Sequence, residues 1–574
     1  MGWHTPSRAW ASGPWTLALR GDELADIRYG GVSVLRSTRA VVRDLDWNTP
    51  DLVVDEVADE GAALVMTVHS RGFGSSFSGT VSVTASDTEL EVAADLVSAS
   101  AFATNRTGLV VLHPPQLAGS ALEVQHADGS IERTAFPAAI SAHQPVLDIS
   151  RLSWEAGGLR VATRFEGDVF EMEDQRNWTD ASYKTYNRPL ALPFPYEIAA
   201  GDTVRQRVTI RVEGMSVPAA DGAPDRLELA AGGTVPQIGV CAATGPDPAP
   251  AAHPVGQTLL VELDLRAPNW RAALRRAAAS PLPLDVRFVV APDRYDLLAG
   301  AVAELAGAAV ARVGVFDASG DARHVSPRAA VHALRTALDA AGLRAPTVGG
   351  SRAHFTELNR ERHRLPGDLD GITVALTPLF HSTGAEQLVE SAAMQRLVAR
   401  QAVAMAAGAP VHVGPITLRP RYNDVATAPE PMPARTDLAD GYGAQFTGAD
   451  DPRQTSAELA AWTIASAAAL AVPGVSSLSY FEEWGPRGIR SSSGEPYPVA
   501  EAIEALASLR GEALRADSPD GLIWAIGASH GAESTVLVAN LDASRRSADV
   551  VLPNGDARTV DLPAFGWHRI TVRG

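Results

Sequence analysis

Eight short apolar runs alternate with longer helical patterns in the middle of the chain, between residues 236 and 483. Strand-sized runs separated by amphipathic or alanine-rich segments are typical of a parallel sheet whose crossovers are helices. Eight such units over roughly 250 residues have the number and length of a (β/α)8 barrel. The runs read PQIGVCAA, TLLVELDL, LDVRFVVA, ARVGVFDA, PTVGGSRAHFTE, ITVALTPLF, PVHVGPITL and VSSLSYFEE. Helices are predicted between them at 293–309, 327–341, 385–407 and 455–471.

Before this region the chain has a different pattern of apolar and polar residues. From residue 15 to about residue 212, short segments alternate apolar and polar residues and are bounded by Gly, Asp, Asn and Ser; they include LVVDEV, ALVMTVHS, GTVSVTAS, ELEVAADLVS, GLVVLH and RQRVTIRVEG. Such alternation predicts strands of an antiparallel sandwich with one face in solvent. No segment of helical period appears there.

Composition separates the regions into domains. A chain of 574 residues is longer than one hydrophobic core usually supports, and a stretch rich in Pro, Gly and Ala at 213–225 is typical of a linker. After residue 490, GEPYPVAEAIEALASLRG predicts a last helix, and renewed β alternation follows. We therefore predict a multidomain protein of α/β plus all-β class. Its parts are an N-terminal antiparallel β-sandwich (1–215), a (β/α)8 TIM-like barrel (226–510) and a small C-terminal β-domain (511–574).

Net charge and cysteine content exclude several classes of partner and of metal site. The net charge of −18 disfavours nucleic acid and anionic membranes as partners. Cys241 is the single cysteine, which excludes an intramolecular disulfide and a thiolate metal cluster. The sequence shows no signal peptide and no membrane span, so a cytoplasmic protein is expected. We expect no cofactor and no metal, since the acidic stretch EMED lacks the spacing of a calcium loop.

The only lysine of the chain lies in its chemically densest stretch. This is Lys184, in the motif EMEDQRNWTDASYKTY of the predicted sandwich; every other basic side chain is arginine. A compact ammonium and a planar guanidinium are not interchangeable, so the exception marks a candidate site. The motif is expected on a loop or strand end, and it supplies the substrate-binding candidates Lys184, Asn177, Trp178 and Asp180. The amine either forms a salt bridge with Glu171 or Asp174, or contacts a substrate oxygen.

The barrel offers a second set of candidates, because active sites of this fold lie at the C-terminal ends of the strands. The residues after the predicted strands include Asp317, His354, Glu357, His381, Arg419, Arg421, Glu482 and Glu483. Glu357, Glu482 and His381 are the catalytic candidates, suited to acid–base hydrolysis. Arg419, Arg421 and His354 are substrate-binding candidates. Each of these residues also has a structural interpretation; for Glu357 it is a salt bridge with Arg360. Glu482 and Glu483 are neighbours on a strand and point to opposite faces, so at most one of them faces the site.

Paired carboxylates on a barrel also suggest a glycoside hydrolase. The common barrel glycosidases have an Asn-Glu pair ending strand four and a Glu ending strand seven. Here strand four ends in VFDASG and strand seven in ITLRPR, whereas Glu357 follows strand five and Glu482 ends strand eight. A retaining or inverting glycosidase acting on an apiosyl-type glycoside remains the alternative.

Three segments together resemble the D-apionate lactonase family: FEGDVFEMEDQRNWTDASYKTYNRPLALPFP, VGGSRAHFTELNRER and VGPITLRPRYN. ADDPRQTS and YFEEWGPRGI also match in order and spacing, so the resemblance covers essentially the whole chain. The resemblance implies a carboxylic-ester hydrolase (lactonase) that converts D-apionolactone to D-apionate during D-apiose breakdown. Its partner would be a small-molecule sugar lactone, with neither nucleic acid nor membrane involved.

Lactone opening needs an activated water, a stabilised oxyanion and a proton for the departing ring oxygen. Our hypothesis from the sequence is that Glu357 activates the water and that Glu482 or His381 protonates the alkoxide. Arg419, with Lys184 reaching across from the β-domain, would bear the negative charge. In this hypothesis Glu357→Gln lowers turnover by at least roughly a hundredfold.

Overall fold

The computed structural model describes residues 2–217, 225–422 and 431–573. The N-terminal domain is built from antiparallel strands, with 3-10 turns at Pro115–Leu117 and Gln175–Trp178 and no α-helix among its described residues. Its strands are β1 (Arg8–Ser12), β2 (Trp15–Arg20), β3 (Glu23–Tyr29), β4 (Val32–Arg43), β5 (Leu52–Asp59), β6 (Ala63–Gly72), β7 (Ser75–Ala85), β8 (Glu89–Ser98), β9 (Phe102–Thr104), β10 (Arg106–His113), β11 (Ala121–His126), β12 (Ile131–Ala135), β13 (Val146–Ala156), β14 (Leu159–Glu166), β15 (Phe170–Asp174), β16 (Tyr183–Asn187), β17 (Tyr196–Ile198) and β18 (Thr203–Gly214).

Most of these strands form one long sheet, in the order β1-β2-β3-β4-β10-β16-β15-β13-β14-β18-β8-β7-β6-β5. The sheet curls back on itself, so that β10 and β18, which are not neighbours in this order, come into contact. The N–H of Leu109 on β10 donates to Oε1 of Gln206 on β18 at 2.7 Å. Gly108 allows this approach, since a Cβ there would lie 2.3 Å from that oxygen. Alternate residues of β8 and β18 point into the shared core. The predicted β-rich domain with one wet face is confirmed.

The eight predicted runs are the eight strands of a closed parallel barrel, in which β21 pairs with β28. The strands are β21 (Gln237–Cys241), β22 (Leu259–Asp264), β23 (Leu284–Val290), β24 (Val310–Asp317), β25 (Thr347–Ser351), β26 (Gly371–Leu376), β27 (Val411–Ile416) and β28 (Val475–Glu482). All seven residues of β23 are buried, as expected where a barrel interior and a helix layer cover both faces.

The helices surround this barrel. They are α1 (Trp270–Ala278), α2 (Leu297–Ala303), α3 (Arg328–Ala340), α4 (Phe355–Glu361), α5 (Ala385–Met405), α6 (Glu458–Leu470) and α7 (Pro498–Ser508). The four predicted inter-strand helices are confirmed with shorter bounds, and the last helix is α7. We did not predict α1 and α4. The buried residues of α1, among them Trp270, Leu274 and Ala277, do follow a helical period, so the sequence carried a signal that was missed. The first residues of α4 belong to the run PTVGGSRAHFTE, which predicted a strand.

The C-terminal module contains two small sheets. Its strands are β19 (Arg226–Glu228), β20 (Ala230–Thr234), β29 (Glu512–Arg515), β30 (Ile523–His530), β31 (Glu533–Asn540), β32 (Arg546–Val551), β33 (Ala557–Leu562) and β34 (Trp567–Arg573). β19 pairs with β32 and β20 with β29, although both precede the barrel in the chain. Residues 226–234, which the sequence assigned to the barrel, therefore belong to this module by their pairing.

Polar contacts attach the N-terminal domain to the barrel. Gln401 on α5 accepts the N–H of Ile140 at 2.8 Å and donates to its carbonyl at 2.9 Å. Nε of Arg36 on β4 donates to Glu390, also on α5, at 2.8 Å. Of the predicted linker, residues 218–224 lie outside the described residues. Among the described helices, none is long and apolar enough to cross a membrane.

Candidate active site

The lysine-containing motif forms a hairpin in the middle of the N-terminal sheet. β15 and β16 pair antiparallel, and the 3-10 turn at Gln175–Trp178 lies between them. Asp174 stabilises the turn, because its Oδ1 accepts the Nε–H of Arg176 at 2.8 Å. The motif was expected on a loop or strand end: the connecting residues form the turn, and Lys184 is the second residue of β16.

Lys184 forms an ion pair with Glu173, directly opposite it on β15. Opposite residues of an antiparallel pair share one face of the sheet, whereas Asp174 points to the other face. Glu171 is on the shared face but accepts hydrogen bonds from the Tyr186 hydroxyl and from the Leu190 N–H. The predicted partners Glu171 and Asp174 are therefore wrong: the salt bridge of Lys184 is formed with Glu173.

The pair is buried but charged. Burial acts to raise the pKa of Glu173, but the charge of Lys184 outweighs burial, and the pKa is lowered to about 2. Burial lowers the pKa of Lys184, and Glu173 opposes that shift. Since Nζ contacts the carboxylate directly, we treat both groups as ionised. The ammonium also lies 4.8 Å above the ring of Tyr186, which stabilises a cation.

Asp180, on the connection between β15 and β16, reaches across the domain interface to the barrel. Its Oδ2 lies 2.8 Å from Nδ1 of His381, which follows β26. Trp178 packs edge-on against the same imidazole, at 5.2 Å between ring centroids. An aspartate on one ring nitrogen orients a histidine and leaves the other nitrogen for chemistry.

Burial shifts both members of this pair. It raises the pKa of Asp180 to about 8. Burial, followed by the charge of Lys184, lowers the pKa of His381 well below its ordinary value. The imidazole is therefore uncharged at neutral pH, and it becomes the proton acceptor once the pair has lost the proton of Asp180.

Two cavities meet at His381. The first, which we call the interdomain cavity, has a volume of about 170 Å³. The second, the outer cleft, has about 450 Å³, which is within the range of small-molecule sites. Both are lined by Arg43, Trp47, Phe380 and His381. The interdomain cavity also contains Glu173, Trp178, Lys184, Arg106, Arg360 and Tyr186, and the outer cleft contains Arg419.

The arginines of the interdomain cavity were missed from the sequence. Arg43 ends β4 and Arg106 begins β10, neighbouring strands of the sheet. Arg360 reaches the cavity from α4 and donates through Nε to the carbonyl of Ala142 at 2.7 Å. An arginine at a strand end in an antiparallel sheet carries no local signal. Only the docking of this sheet face against the barrel distinguishes these three from the other arginines.

Asn177, His354 and Glu357 form the interface behind the cavity. Asn359 on α4 donates through Nδ2 to Oδ1 of Asn177 at 3.1 Å. Oε2 of Glu357 accepts the backbone N–H of His354 at 2.8 Å, as in a capping box that begins α4. The ring of His354 packs against Phe380 at 4.7 Å. Helix capping is thus the contact that the geometry gives to Glu357.

Glu482 and Arg421 line a third, smaller cavity of about 60 Å³ at the mouth of the barrel. Glu482 accepts from the hydroxyl of Thr244 at 2.7 Å and from Nε of Arg487 at 2.9 Å. Arg421 pairs with Glu262 at 3.0 Å. Arg419 joins this mouth to the outer cleft and donates through Nε to Asp451 at 2.9 Å.

The mouth carboxylates are engaged by arginine. Glu262 contacts both Arg352 and Arg421, and although burial acts to raise the pKa of Glu262, the two arginines lower it to about 2. A glycosidase needs one carboxyl group that is protonated near neutral pH. The environment of Glu262 does not provide it. Burial does raise the pKa of Asp317 to about 6 and that of Glu483 to about 7, so the glycosidase alternative is left to experiment. Among the described residues, no group of three or more His, Cys, Asp and Glu side chains is placed to hold a metal ion.

The interdomain arrangement suits hydrolysis of a neutral ester. An aspartate-oriented, uncharged imidazole provides a proton acceptor, and Lys184 and Arg43 provide positive charge in the adjoining cavity. Four sequence-derived candidates, Lys184, Trp178, Asp180 and His381, come together here.

Two family models match the chain. Residues 2–215 match the model described as D-apionate lactonase, N-terminal domain, and residues 241–511 match D-apionate lactonase, TIM barrel domain. A relative named D-apionate lactonase, from Brucella anthropi, is 29% identical over 539 residues, covering 87% of this chain and 86% of the relative.

Solved structures also show likeness at low identity. An endoxylanase of glycoside hydrolase family 30 from Clostridium papyrosolvens is 11% identical, with a TM-score of 0.41 over 61% of this chain and 100% of its own. A putative aldose 1-epimerase from Escherichia coli is 10% identical, with a TM-score of 0.26 over 37% of this chain and 99% of its own. At TM-scores below 0.5 these likenesses carry no functional argument. The two family models span more than half of the sequence, so the chain belongs to the D-apionate lactonase family.

Proposed function

We propose that this protein hydrolyses the sugar lactone D-apionolactone to D-apionate, a carboxylic-ester hydrolysis in D-apiose catabolism, and that it acts in the cytoplasm. The family and the name of the Brucella anthropi relative support the reaction. The observation that carries the proposed site is the contact between Asp180 and His381 at 2.8 Å, at the junction of two cavities. The charge of Lys184 in the adjoining cavity supports the same placement.

In the proposed mechanism, Nε2 of His381 accepts a proton from water as the water oxygen bonds to the lactone carbonyl carbon. The carbonyl oxygen becomes an oxyanion, which Lys184 and Arg43 stabilise. The bond between that carbon and the ring oxygen then breaks. His381 returns its proton to the departing oxygen, which becomes a hydroxyl group, and the carboxylic acid product ionises.

This proposal changes the roles that the sequence alone suggested. His381 takes the base role as well as the acid role, because it lines both cavities whereas Glu357 caps α4. Arg419 lines the outer cleft, so it is proposed to bind substrate there together with Trp178 on the inner side. Arg421, His354 and Asn177 support the walls of the site, Arg421 by donating through Nη2 to the hydroxyl of Tyr422, which lines the outer cleft. Glu482 orders the barrel mouth.

The reaction class is tested with two substrate panels. Purified protein is given aldonolactones with a pH indicator, and aryl glycosides with release of the aryl alcohol as readout. Acid release from D-apionolactone above the spontaneous rate, with no aryl release, is expected. Aryl release without lactone hydrolysis would instead establish the glycosidase alternative.

The pKa values of the Asp180–His381 pair predict how activity depends on pH. Because the two groups titrate together, the pair holds one removable proton at pH 7 and loses it near pH 8, the raised pKa of Asp180. The proton-accepting form therefore accumulates as pH rises. We expect kcat/KM to rise about tenfold per pH unit below the transition and to level off above about pH 8.

This profile is measured from initial rates between about pH 6 and pH 9, after subtraction of spontaneous hydrolysis. Asp180→Asn is the informative comparison, because it removes the group that titrates near pH 8 and should abolish that rise. A wild-type profile that is flat over this range would exclude the pair as the proton acceptor.

A further prediction concerns Glu357. Gln retains an oxygen that accepts the His354 N–H, so Glu357→Gln should preserve the cap and leave kcat unchanged. Glu357→Ala should lower the free energy of unfolding by about 1 kcal/mol, the cost of a lost cap. Both are measured by steady-state kinetics and chemical denaturation. A fall in kcat of about a hundredfold for folded Glu357→Gln would return the base role to this carboxylate.

A further inference from the structure

Arg106 lines the interdomain cavity and has two buried donors without a partner among the described residues. It is 4% exposed, and its Nη1 donates to the carbonyl of Asn105. Its Nε and Nη2 are buried and have no hydrogen-bond partner among the described residues. A buried donor without a partner is destabilising, so two on one guanidinium indicate that a ligand completes them.

The geometry of these two nitrogens defines the ligand. Nε–H and Nη2–H lie on the same edge of the guanidinium plane and together match the two oxygens of a carboxylate. Aromatic rings surround the group, with ring centroids at 5.1 Å for Trp47, 5.5 Å for Tyr186 and 5.7 Å for Phe194. Such contacts stabilise the cation and hold its orientation without using its donors.

The charges around the cavity also favour an anion. Its lining carries the cations Arg43, Arg106, Lys184 and Arg360 against the single carboxylate of Glu173, which is paired with Lys184. His381 is uncharged at neutral pH. Glu171, which does not line the cavity, accepts from Tyr186 and from the Leu190 N–H, and its charge offsets part of that of Arg106. Three arginines are therefore left without a carboxylate of the cavity lining to neutralise them.

We propose that the interdomain cavity is a carboxylate subsite, in which Nε and Nη2 of Arg106 bind the carboxylate of an open-chain aldonate. That this aldonate is the reaction product, D-apionate, rests on the proposed function. The preference for a carboxylate is independent of the proposed function. The neutral lactone has no group that matches the arginine edge, so the enzyme binds product more tightly than substrate. D-Apionate is thus a competitive inhibitor of lactone hydrolysis.

The preference is tested first on the wild-type protein, by calorimetric titration with D-apionate and with the corresponding alditol, in which a hydroxymethyl group replaces the carboxylate. D-Apionate should bind at least about tenfold more tightly, the scale of a charge-assisted bidentate contact. Equal affinities for the two compounds would overturn the subsite without any variant.

Arg106→Gln then assigns the preference to this side chain. We expect its affinity for D-apionate to fall about ten- to a hundredfold, with alditol affinity unchanged. Arg164→Gln is the matched control, because Arg164 forms an exposed pair with Glu166 on β14. Should Arg106→Gln fail to fold, Arg106→Lys retains the charge but loses the paired donors and should still weaken D-apionate binding. Unchanged D-apionate affinity in a folded Arg106 variant would overturn the assignment.

The two proposals fail separately. Protein that binds D-apionate through Arg106 but does not hydrolyse D-apionolactone would refute the proposed function and leave the subsite in place. Protein that hydrolyses the lactone and binds D-apionate no better than the alditol would refute the subsite alone.

Discussion

Replacing His381 by Gln lowers kcat by about 10²- to 10⁴-fold, the contribution of a positioned acid–base group. Gln retains polarity and approximate size but cannot exchange the proton that passes from water to the ring oxygen. Because His381 lines both cavities and contacts Asp180, it is the only histidine among the described residues to which we assign this role. The measurement is the initial rate of D-apionolactone hydrolysis, corrected for the spontaneous reaction.

The control for this experiment is His332→Gln. His332 is exposed on α3, so the same chemical change there should leave kcat at the wild-type value. Circular dichroism and melting temperature establish that His381→Gln is folded. Folded His381→Gln with kcat within about threefold of wild type would remove this residue from the mechanism, since it is far below the effect of a lost general base.

Replacing Lys184 by Met destabilises the protein by about 3–5 kcal/mol, because it leaves the Glu173 carboxylate buried without its partner. The two side chains are 10% and 13% exposed, so solvent screens the pair only weakly. Chemical denaturation at neutral pH measures this loss. The conservative change Lys184→Arg keeps the charge, and an unchanged melting temperature with lower kcat would indicate that the ammonium contacts substrate.

The double variant Lys184→Met with Glu173→Gln separates stability from activity. Removing both charges should recover most of the lost stability, since no unpaired charge remains. Its kcat should stay at least about a hundredfold below wild type, because a donor to the oxyanion is still missing. Recovery of kcat together with stability would give Lys184 a purely structural role.

The pair also predicts an acid dependence of stability. The folded-state pKa of Glu173, about 2, lies below its ordinary value of 4.5, so the contribution of this group to stability is present above about pH 4.5. It is lost as pH falls through about 2. The stability difference between wild type and the double variant should therefore shrink over that interval.

The barrel was predictable because its signal is local. Each parallel strand is covered on both faces and reads as a short continuous apolar run, as in the seven buried residues of β23. The eight runs counted in the sequence are the eight barrel strands, and the residues after them lie at the mouth or at the domain interface. The helix α4 escaped prediction because its first residues, Phe355 to Glu357, belong to the run PTVGGSRAHFTE, which predicted a strand.

The arrangement of the small C-terminal sheets was not predictable in the same way. β20 pairs with β29 although about 280 residues separate them in the chain. The alternation of apolar and polar residues identifies a strand and its buried face, but it does not identify the neighbouring strand. A boundary placed from composition therefore assigned residues 226–234 to the barrel.

The candidate site, too, was predictable from the sequence only in part. The composition of the motif alone identified Lys184, Trp178 and Asp180, and the strand-end rule identified His381. Their assembly depends on docking: Asp180 and His381 are 201 positions apart, and they meet only because the N-terminal sheet packs over the barrel. The same docking gives Arg43 and Arg106 their place in the cavity.

The sequence by itself determined the domain types, the number of barrel strands, the family and a few residues at the cavity, namely Trp178, Lys184, Asp180 and His381. Hydrophobic period and unusual local chemistry are properties of neighbouring residues, so the sequence alone records them. Only the tertiary structure decided that Lys184 pairs with Glu173, that His381 pairs with Asp180 and that Arg106 keeps two unpartnered donors. Strand register and domain docking are long-range interactions. They depend on the complementarity of whole surfaces, which no local pattern in the chain records.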